Sequence, residues 1–264
     1  MSLPIVSVSP EELVRELESR LRADRPSALA FDADGTLWSG DVGDDVFRFA
    51  VEHGRLREAA RAEIEHQARS RGFECFADVN ATAKQLFDAY LAGRYPEREI
   101  CELMTWCFAG HTLPEMADLV REALAAARHA QRLNEELRPI LDFARKSELR
   151  TIVVSASPRA TVELAASAWG FAAEDIAAAT PRIVAGVIAP AMAGPLPYGA
   201  CKCVAGRALL GTAHWLGAFG DNVFDLEMLL EAELGVAVRP KPALRARLAE
   251  IPGVRLLDAN FQSS

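Results

Sequence analysis

No run of apolar residues in this 264-residue chain approaches the roughly 18 that a membrane span requires. The opening stretch, MSLPIVSVSPEELVRELESR, lacks the basic segment and apolar core of a secretory leader, so a cytoplasmic setting is expected. Basic residues are in the minority. The 29 Lys and Arg face 37 Asp and Glu, a formal net charge of −8. That balance argues against a general nucleic-acid binder, which needs a basic face for phosphates. The five cysteines (75, 101, 107, 201 and 203) are odd in number and irregularly spaced, which does not fit a disulfide framework. Cys201 and Cys203 form a C-x-C pair, too few ligands for a structural zinc. No G-x-G-x-x-G and no Walker A motif occurs, so nicotinamide, flavin and P-loop chemistry have no support. The five histidines (53, 66, 111, 129 and 214) show no H-E-x-x-H pairing, and no internal repeat or low-complexity tract is present.

What remains is an ordinary globular composition, 50% apolar and 25% charged. The length suits one large domain or two smaller ones, and is enough to bury a core without covalent staples. Ser9-Pro10-Glu11-Glu12 predicts a capped helix start, with Leu13, Val14, Leu17 and Leu21 at helical spacing behind it. SALAFDAD (27–34) predicts a short strand buried on both faces of a parallel sheet. From about 41 to 130 the pattern is helical with few strand-like runs. Helix and strand then alternate, with LRTIVVSAS, HWLGAFGD, LGVAV and VRLLD as strands and RATVELAASAWG, GACKCVAGRALLG, NVFDLEMLLEA and PALRARLAE as helices. Gly170 is placed to end a helix, PRIVAGVIAP predicts a hairpin turning at Ala185-Gly186, and NFQSS at the end predicts disorder. The expected architecture is α/β: a doubly wound parallel sheet over residues 1–40 and 131–264, with an all-helical block over 41–130 inserted after the first strand.

Ligands of open α/β sheets bind beyond the carboxyl ends of the strands. There this sequence puts Asp32 and Asp34, then Ser155 and Ser157, then Asp221 with Asp225 one helical turn on; Lys202 opens a helix between the last two strands. Carboxylates crowded together repel unless a cation sits among them. Oxygen ligands of this kind favour a hard ion such as Mg²⁺, and a lysine with a serine hydroxyl completes a phosphate site.

These residues resemble four motifs of the haloacid dehalogenase-like (HAD) hydrolase superfamily in their usual order: FDADGTLW, VVSAS, Lys202 and GDNVFDLEML. The helical insert after the first motif, the SAS ending and PYGACK resemble the phosphoserine phosphatase-like branch with a C1-type cap on a Rossmann-like core. The resemblance implies a Mg²⁺-dependent phosphatase acting on a small phosphorylated metabolite. Asp32 is then the nucleophile and Asp34 the general acid and base. Mg²⁺ is held by the carboxylates of Asp32 and Asp221 and the main-chain carbonyl of Asp34. Phosphate contacts are implied at Ser155, Ala156, Lys202, Gly35 and Thr36. Asp225 and Asn222 are expected to support the metal site or orient the lysine, and Asp41 to meet the substrate.

The sequence also departs from that branch. It has DGT where DST is common, Asn222 and Phe224 where Gly and Asn are usual, and Asp41 where a glutamate meets the serine amino group. Asp34 itself disfavours dehalogenation, because a departing halide needs no proton. Two alternatives stay open: a phosphotransferase or phosphomutase that passes the phosphoryl group to a second alcohol, and a non-catalytic binder of phosphorylated metabolites. In the helical block, Trp106 and Phe108 are expected to be core, and Arg48, Arg94 and Arg98 to be solvated.

Overall fold

The computed structural model describes residues 5–22 and 24–258. The chain enters through a two-residue edge strand, β1 (Val6–Ser7), too short to leave a sequence pattern. Helix α1 (Pro10–Arg20) starts as its capping box predicts. The Glu12 amide donates to Ser9 Oγ at 3.2 Å, and the Ser9 amide donates to Glu12 Oε2 at 2.8 Å. Strand β2 (Ser27–Phe31) is buried at all five positions. It stops three residues short of the predicted end, because the chain curls at Asp32 into a tight loop closed by the Gly35 amide on the Trp38 carbonyl at 2.8 Å.

The next stretch is helical, as expected: α2 (Val42–Glu52), α3 (Arg61–Ser70), α4 (Val79–Leu91), α5 (Glu97–Trp106) and α6 (Leu113–Ala126). After it come α7 (Arg138–Lys146), β3 (Arg150–Pro158) and α8 (Arg159–Ala166), with Gly170 left-handed beyond a final 3-10 turn. Strand β4 (Ile176–Ala179) went unread in the sequence: three of its four residues are alanine, which carries little strand signal. The hairpin β5 (Pro181–Val184) and β6 (Val187–Met192) turns at Ala185-Gly186 as predicted, both residues having positive φ. Then follow α9 (Cys201–Leu210), β7 (His214–Gly220), α10 (Leu226–Glu231), β8 (Leu234–Val238), α11 (Pro242–Arg245) and β9 (Arg255–Leu257). The helix expected over PALRARLAE is only one α-turn followed by a 3-10 turn. The NFQSS tail lies outside the described residues.

Seven strands form one sheet in the order β1-β9-β8-β7-β2-β3-β4, and every neighbouring pair is parallel. Strand β2 is flanked by β7 and β3, so its carboxyl end lies where the winding of the sheet reverses, the crevice in which such folds bind ligands. One face of the sheet buries Trp215, Ile152 and Leu244. The other packs Phe31 on Phe219, with ring centroids 4.4 Å apart, and that core continues through Trp38 into Phe47 of the helical segment. The segment is also tied to the hairpin: the Gly110 amide donates to the Ile188 carbonyl at 2.9 Å, and the Ile188 amide to the His111 carbonyl at 2.8 Å. At its junction with the sheet, the Ser39 amide donates to the Arg132 carbonyl at 2.9 Å, and Arg132 pairs with Asp45. No helix among the described residues is long and apolar enough to cross a membrane.

Candidate active site

The carboxyl ends of β2, β3 and β7 bring Asp32, Asp34, Ser155, Ala156, Asp221, Asn222 and Asp225 to one cavity of about 100 Å³, with Lys202 reaching in from the first turn of α9. Lys202 is 4% exposed. Its ammonium lies 2.5 Å from Asp32 Oδ1 and 2.5 Å from Asp225 Oδ1. The other Asp225 oxygen accepts the amides of Asp221 (3.1 Å) and Asn222 (2.9 Å). Asp225 therefore fixes both the lysine and the loop after β7. Asn222 spends its side-chain oxygen on the Val223 amide at 2.7 Å.

Two of the expected phosphate contacts lie beneath the cavity instead of on its wall. Thr36 is fully buried, and its hydroxyl donates to Asp32 Oδ2 at 3.1 Å. Gly35 sits at φ +86°, and a Cβ added there would fall 2.0 Å from Asp221 Oδ2. Glycine at this position lets the loop after β2 close against the end of β7. Ser155 Oγ accepts the Ser157 amide at 3.0 Å and retains its hydroxyl proton for a ligand.

Asp34 lines the same cavity as Asp32. Its Oδ1 accepts the Trp38 indole N–H and the Val42 amide, each at 2.8 Å, and its Oδ2 accepts the Ser157 hydroxyl at 2.6 Å. Oδ1 is thus held by donors that cannot reverse, whereas Oδ2 faces a hydroxyl that can donate or accept. A proton can reside on Oδ2 in either state of the pair. Asp41 caps α2 by accepting the Asp44 amide at 2.8 Å, and lines the cavity from the helical side.

Six carboxylates (Asp32, Asp34, Asp41, Glu97, Asp221 and Asp225) and two lysines (202 and 241) line this space. Burial, reinforced by the Asp225 charge and offset by Lys202, pushes Asp32 up to about 8. Burial raises Asp221 to about 6 against the pull of Lys241, whose ammonium is 3.0 Å from Asp221 Oδ2. Burial and then the Asp34 charge raise Asp41 well above the usual carboxylate range. Burial works against the Lys202 ammonium, yet Asp225 and Asp32 hold it charged, well above the ordinary lysine value.

Such a cluster suits a hard cation. Asp32, Asp221 and Asp225 each bring a carboxylate oxygen within 4.8 Å of the others. Asp221 Oδ1 is buried with no hydrogen-bond partner, the kind of orphaned acceptor a metal ion satisfies. Both Asp225 oxygens are engaged, and Asp32 accepts from Lys202 and Thr36, so the unpartnered Asp221 Oδ1 is the readiest donor and Asp32 would share an oxygen with one of its present partners.

Several supporting residues were not singled out from the sequence. Ser157 was noted at its strand end without a partner. Lys241 follows the end of β8 and could have been found by the same strand-end rule. Asn134 donates to the Thr36 carbonyl at 2.7 Å and accepts from Arg239 at 2.7 Å, bracing the loop after β2 from 98 positions away. Glu97 sits in the first turn of α5, a segment with no motif. Elsewhere the expectations for the helical block hold: Trp106 and Phe108 are buried, and Arg94 and Arg98 are exposed, the latter paired with Glu102. Arg48 lies over the Phe87 ring. A larger cavity of about 370 Å³, lined by Phe108, Met116 and Ile188 among others, is apolar and brings no carboxylate pair together.

Three solved structures share the fold. A protein of unknown function from Bordetella pertussis Tohama I is 20% identical with a TM-score of 0.68, over 89% of this chain and 99% of that one. A probable phosphoserine phosphatase from Vibrio cholerae is 14% identical with a TM-score of 0.51, over 93% and 67%. A phosphoserine phosphatase captured as a phospho-aspartyl intermediate analogue is 14% identical with a TM-score of 0.50, over 88% and 93%. No curated protein matches the sequence. The family model for haloacid dehalogenase-like hydrolases matches residues 29–230, from the strand that carries Asp32 to the helix beyond Asp225, and the chain belongs to that family.

Proposed function

We propose that the protein hydrolyses a small phosphomonoester through an aspartyl-phosphate on Asp32. The observation that carries this reading is the Asp32–Lys202–Asp225 arrangement, with Asp34 lining the same cavity beyond the end of β2. An Asp32 oxygen attacks phosphorus and the bond to the leaving oxygen breaks, while Asp34 Oδ2 delivers a proton to that oxygen. Asp34, now a carboxylate, takes a proton from water as the water attacks the aspartyl-phosphate; phosphate leaves and Asp32 is restored. Ser155 and Lys202 bind the equatorial phosphoryl oxygens, with the backbone of Ala156 beside them. Mg²⁺ held by Asp32, the Asp34 carbonyl and Asp221 would neutralise charge on the transferring group. The neighbouring fold captured as a phospho-aspartyl analogue supports the covalent step. The helical segment 41–130 acts as the cap that closes over the substrate.

The test is phosphate release from a panel of small esters and p-nitrophenyl phosphate. Release is expected with Mg²⁺ and lost on chelation. Equal release in excess EDTA, or none from any ester, sinks the proposal.

Metal binding should also be visible in stability. In unfolded chains Asp titrates near ~3.9. In the fold without metal, Asp32 and Asp221 lie at about 8 and about 6. The folded state therefore holds extra protons, so this contribution is fully present below about pH 4 and is lost as pH rises through 6 and then 8. Mg²⁺ binds the ionised forms and reverses the loss. At about 100 times its Kd, Mg²⁺ is expected to raise Tm by about 5–10 °C at pH 8. The shift should be much smaller at pH 5.5, measured by scanning fluorimetry. Equal shifts at both pH values would contradict the assignment.

A further inference from the structure

The charges in the cavity do not balance once the reaction's own components are placed. Six carboxylic groups share the cavity with two ammonium groups, so ionising all six would leave an excess of four negative charges, and burial accordingly raises Asp32, Asp41, Glu97 and Asp221 above the ordinary carboxylate range. A divalent cation and a phosphate dianion cancel each other, and protonation of Asp34 for its role as acid removes one more. The repulsion that remains is relieved only if the rest of the substrate brings positive charge.

The excess is not spread evenly. Asp32, Asp221 and Asp225 surround Lys202 and Lys241 at the strand ends, where ion pairs already bind them. The uncompensated carboxylates come from the other side. Asp41 spends one oxygen on capping α2 and retains the other. Glu97 takes part in no ion pair among the described residues; burial raises its carboxyl and the Lys241 charge pulls it back. Both face the cavity where the leaving group must lie.

The cavity is also lined by aromatic rings. Tyr90 from α4, Tyr198 and Phe224 line the same cavity, and the Tyr198 and Phe224 rings lie 4.2 Å apart. Ring faces beside carboxylates favour a cation. Among the described residues no guanidinium lines the cavity, and both of its lysines are already held by carboxylates, so a substrate carboxylate would meet acidic groups in place of a cationic partner. The volume, about 100 Å³, excludes a long leaving group.

Resting on the phosphatase reading above, we infer that the substrate is the phosphate ester of a short alcohol carrying a protonated amine and no carboxylate, with Asp41 and Glu97 as the residues that select it. The amine donates hydrogen bonds to the two carboxylates and lies against the tyrosine and phenylalanine faces. Asp41 and Glu97 act on the choice of leaving group, while the phosphoryl chemistry stays with the strand-end residues.

The experiment compares kcat/KM for O-phosphoethanolamine, glycerol 3-phosphate, O-phosphoserine and p-nitrophenyl phosphate with saturating Mg²⁺. O-phosphoethanolamine should exceed both glycerol 3-phosphate and O-phosphoserine by about tenfold or more, the worth of one charge-assisted hydrogen bond. In Glu97→Gln the ratio of O-phosphoethanolamine to glycerol 3-phosphate should fall toward one, and in Glu97→Lys it should invert. These ratios are internal to each variant, so a partial loss of folded protein does not affect them. Cleavage of p-nitrophenyl phosphate without preference for the amine overturns this inference and leaves the phosphatase reading standing. Faster turnover of O-phosphoserine, or a ratio unchanged in both Glu97 variants, also overturns it. No cleavage of any ester overturns both.

Discussion

Asp32→Asn is expected to abolish phosphate release, by about 10⁴-fold or more in kcat, while the metal-free protein stays folded. The amide cannot form an acyl phosphate, so the covalent route closes. Losses of this size are typical when the nucleophile of a covalent mechanism is removed. Stability should move the other way. Asp32 is buried among like charges, and its carboxyl lies at about 8 in the metal-free fold. Removing a charge that the site disfavours is expected to hold or raise Tm above pH 8 without metal. Lys202 keeps its bond to Asp225, so the variant leaves no orphaned ammonium. Residual turnover within about tenfold of the parent would rule out Asp32 as the nucleophile. A collapse of Tm would show that the residue's contribution is structural.

Lys202→Met is expected to cost stability as well as activity. The ammonium is the shared partner of two buried carboxylates, and its loss leaves both without compensation. Breaking a buried ion pair from one side costs about 3–5 kcal/mol. In a chain of this size that is a fall in Tm of about 10 °C. The deficit should depend on pH in a defined direction. Without the lysine, the pKa of Asp32 rises further, and its protonation relieves the repulsion. The Tm difference between parent and variant should therefore be widest near pH 8 and shrink toward pH 5.5. A difference that is constant across that range, or absent at pH 8, would contradict the arrangement. Mg²⁺ should recover part of the loss, since it supplies positive charge to the same oxygens.

The residues easiest to find in the sequence were those whose position follows from strand order. Asp32, Ser155 and Asp221 each end a strand, and a parallel sheet brings such ends together whatever the intervening chain does. Lys202 and Asp225 were findable because they lie within a turn of a helix that starts beside those ends. The sequence was silent where a contact depends on how distant segments dock. Asn134 reaches the loop after β2 from the start of the returning chain, and only the packed structure shows that its amide bridges Thr36 and Arg239. Glu97 and Tyr90 lie on two helices of the inserted segment, and which helical faces look toward the sheet is a tertiary property. Strand β4 was lost for a different reason. Its alanines satisfy the sheet by small size and burial, without the branched or aromatic residues that mark strands.

The backbone bonds from Gly110 and His111 to Ile188 change the mechanics of the inserted helices. A lid attached only where the chain enters and leaves would swing like a door. Here the hairpin fastens a further edge, through a two-bond seam far along the sequence from the entry and exit strands. If the segment is the cap proposed above, swinging it wide of the sheet would first have to break that seam. On that reading, the size of the cargo would be limited by how the helices are suspended as well as by the residues that touch it.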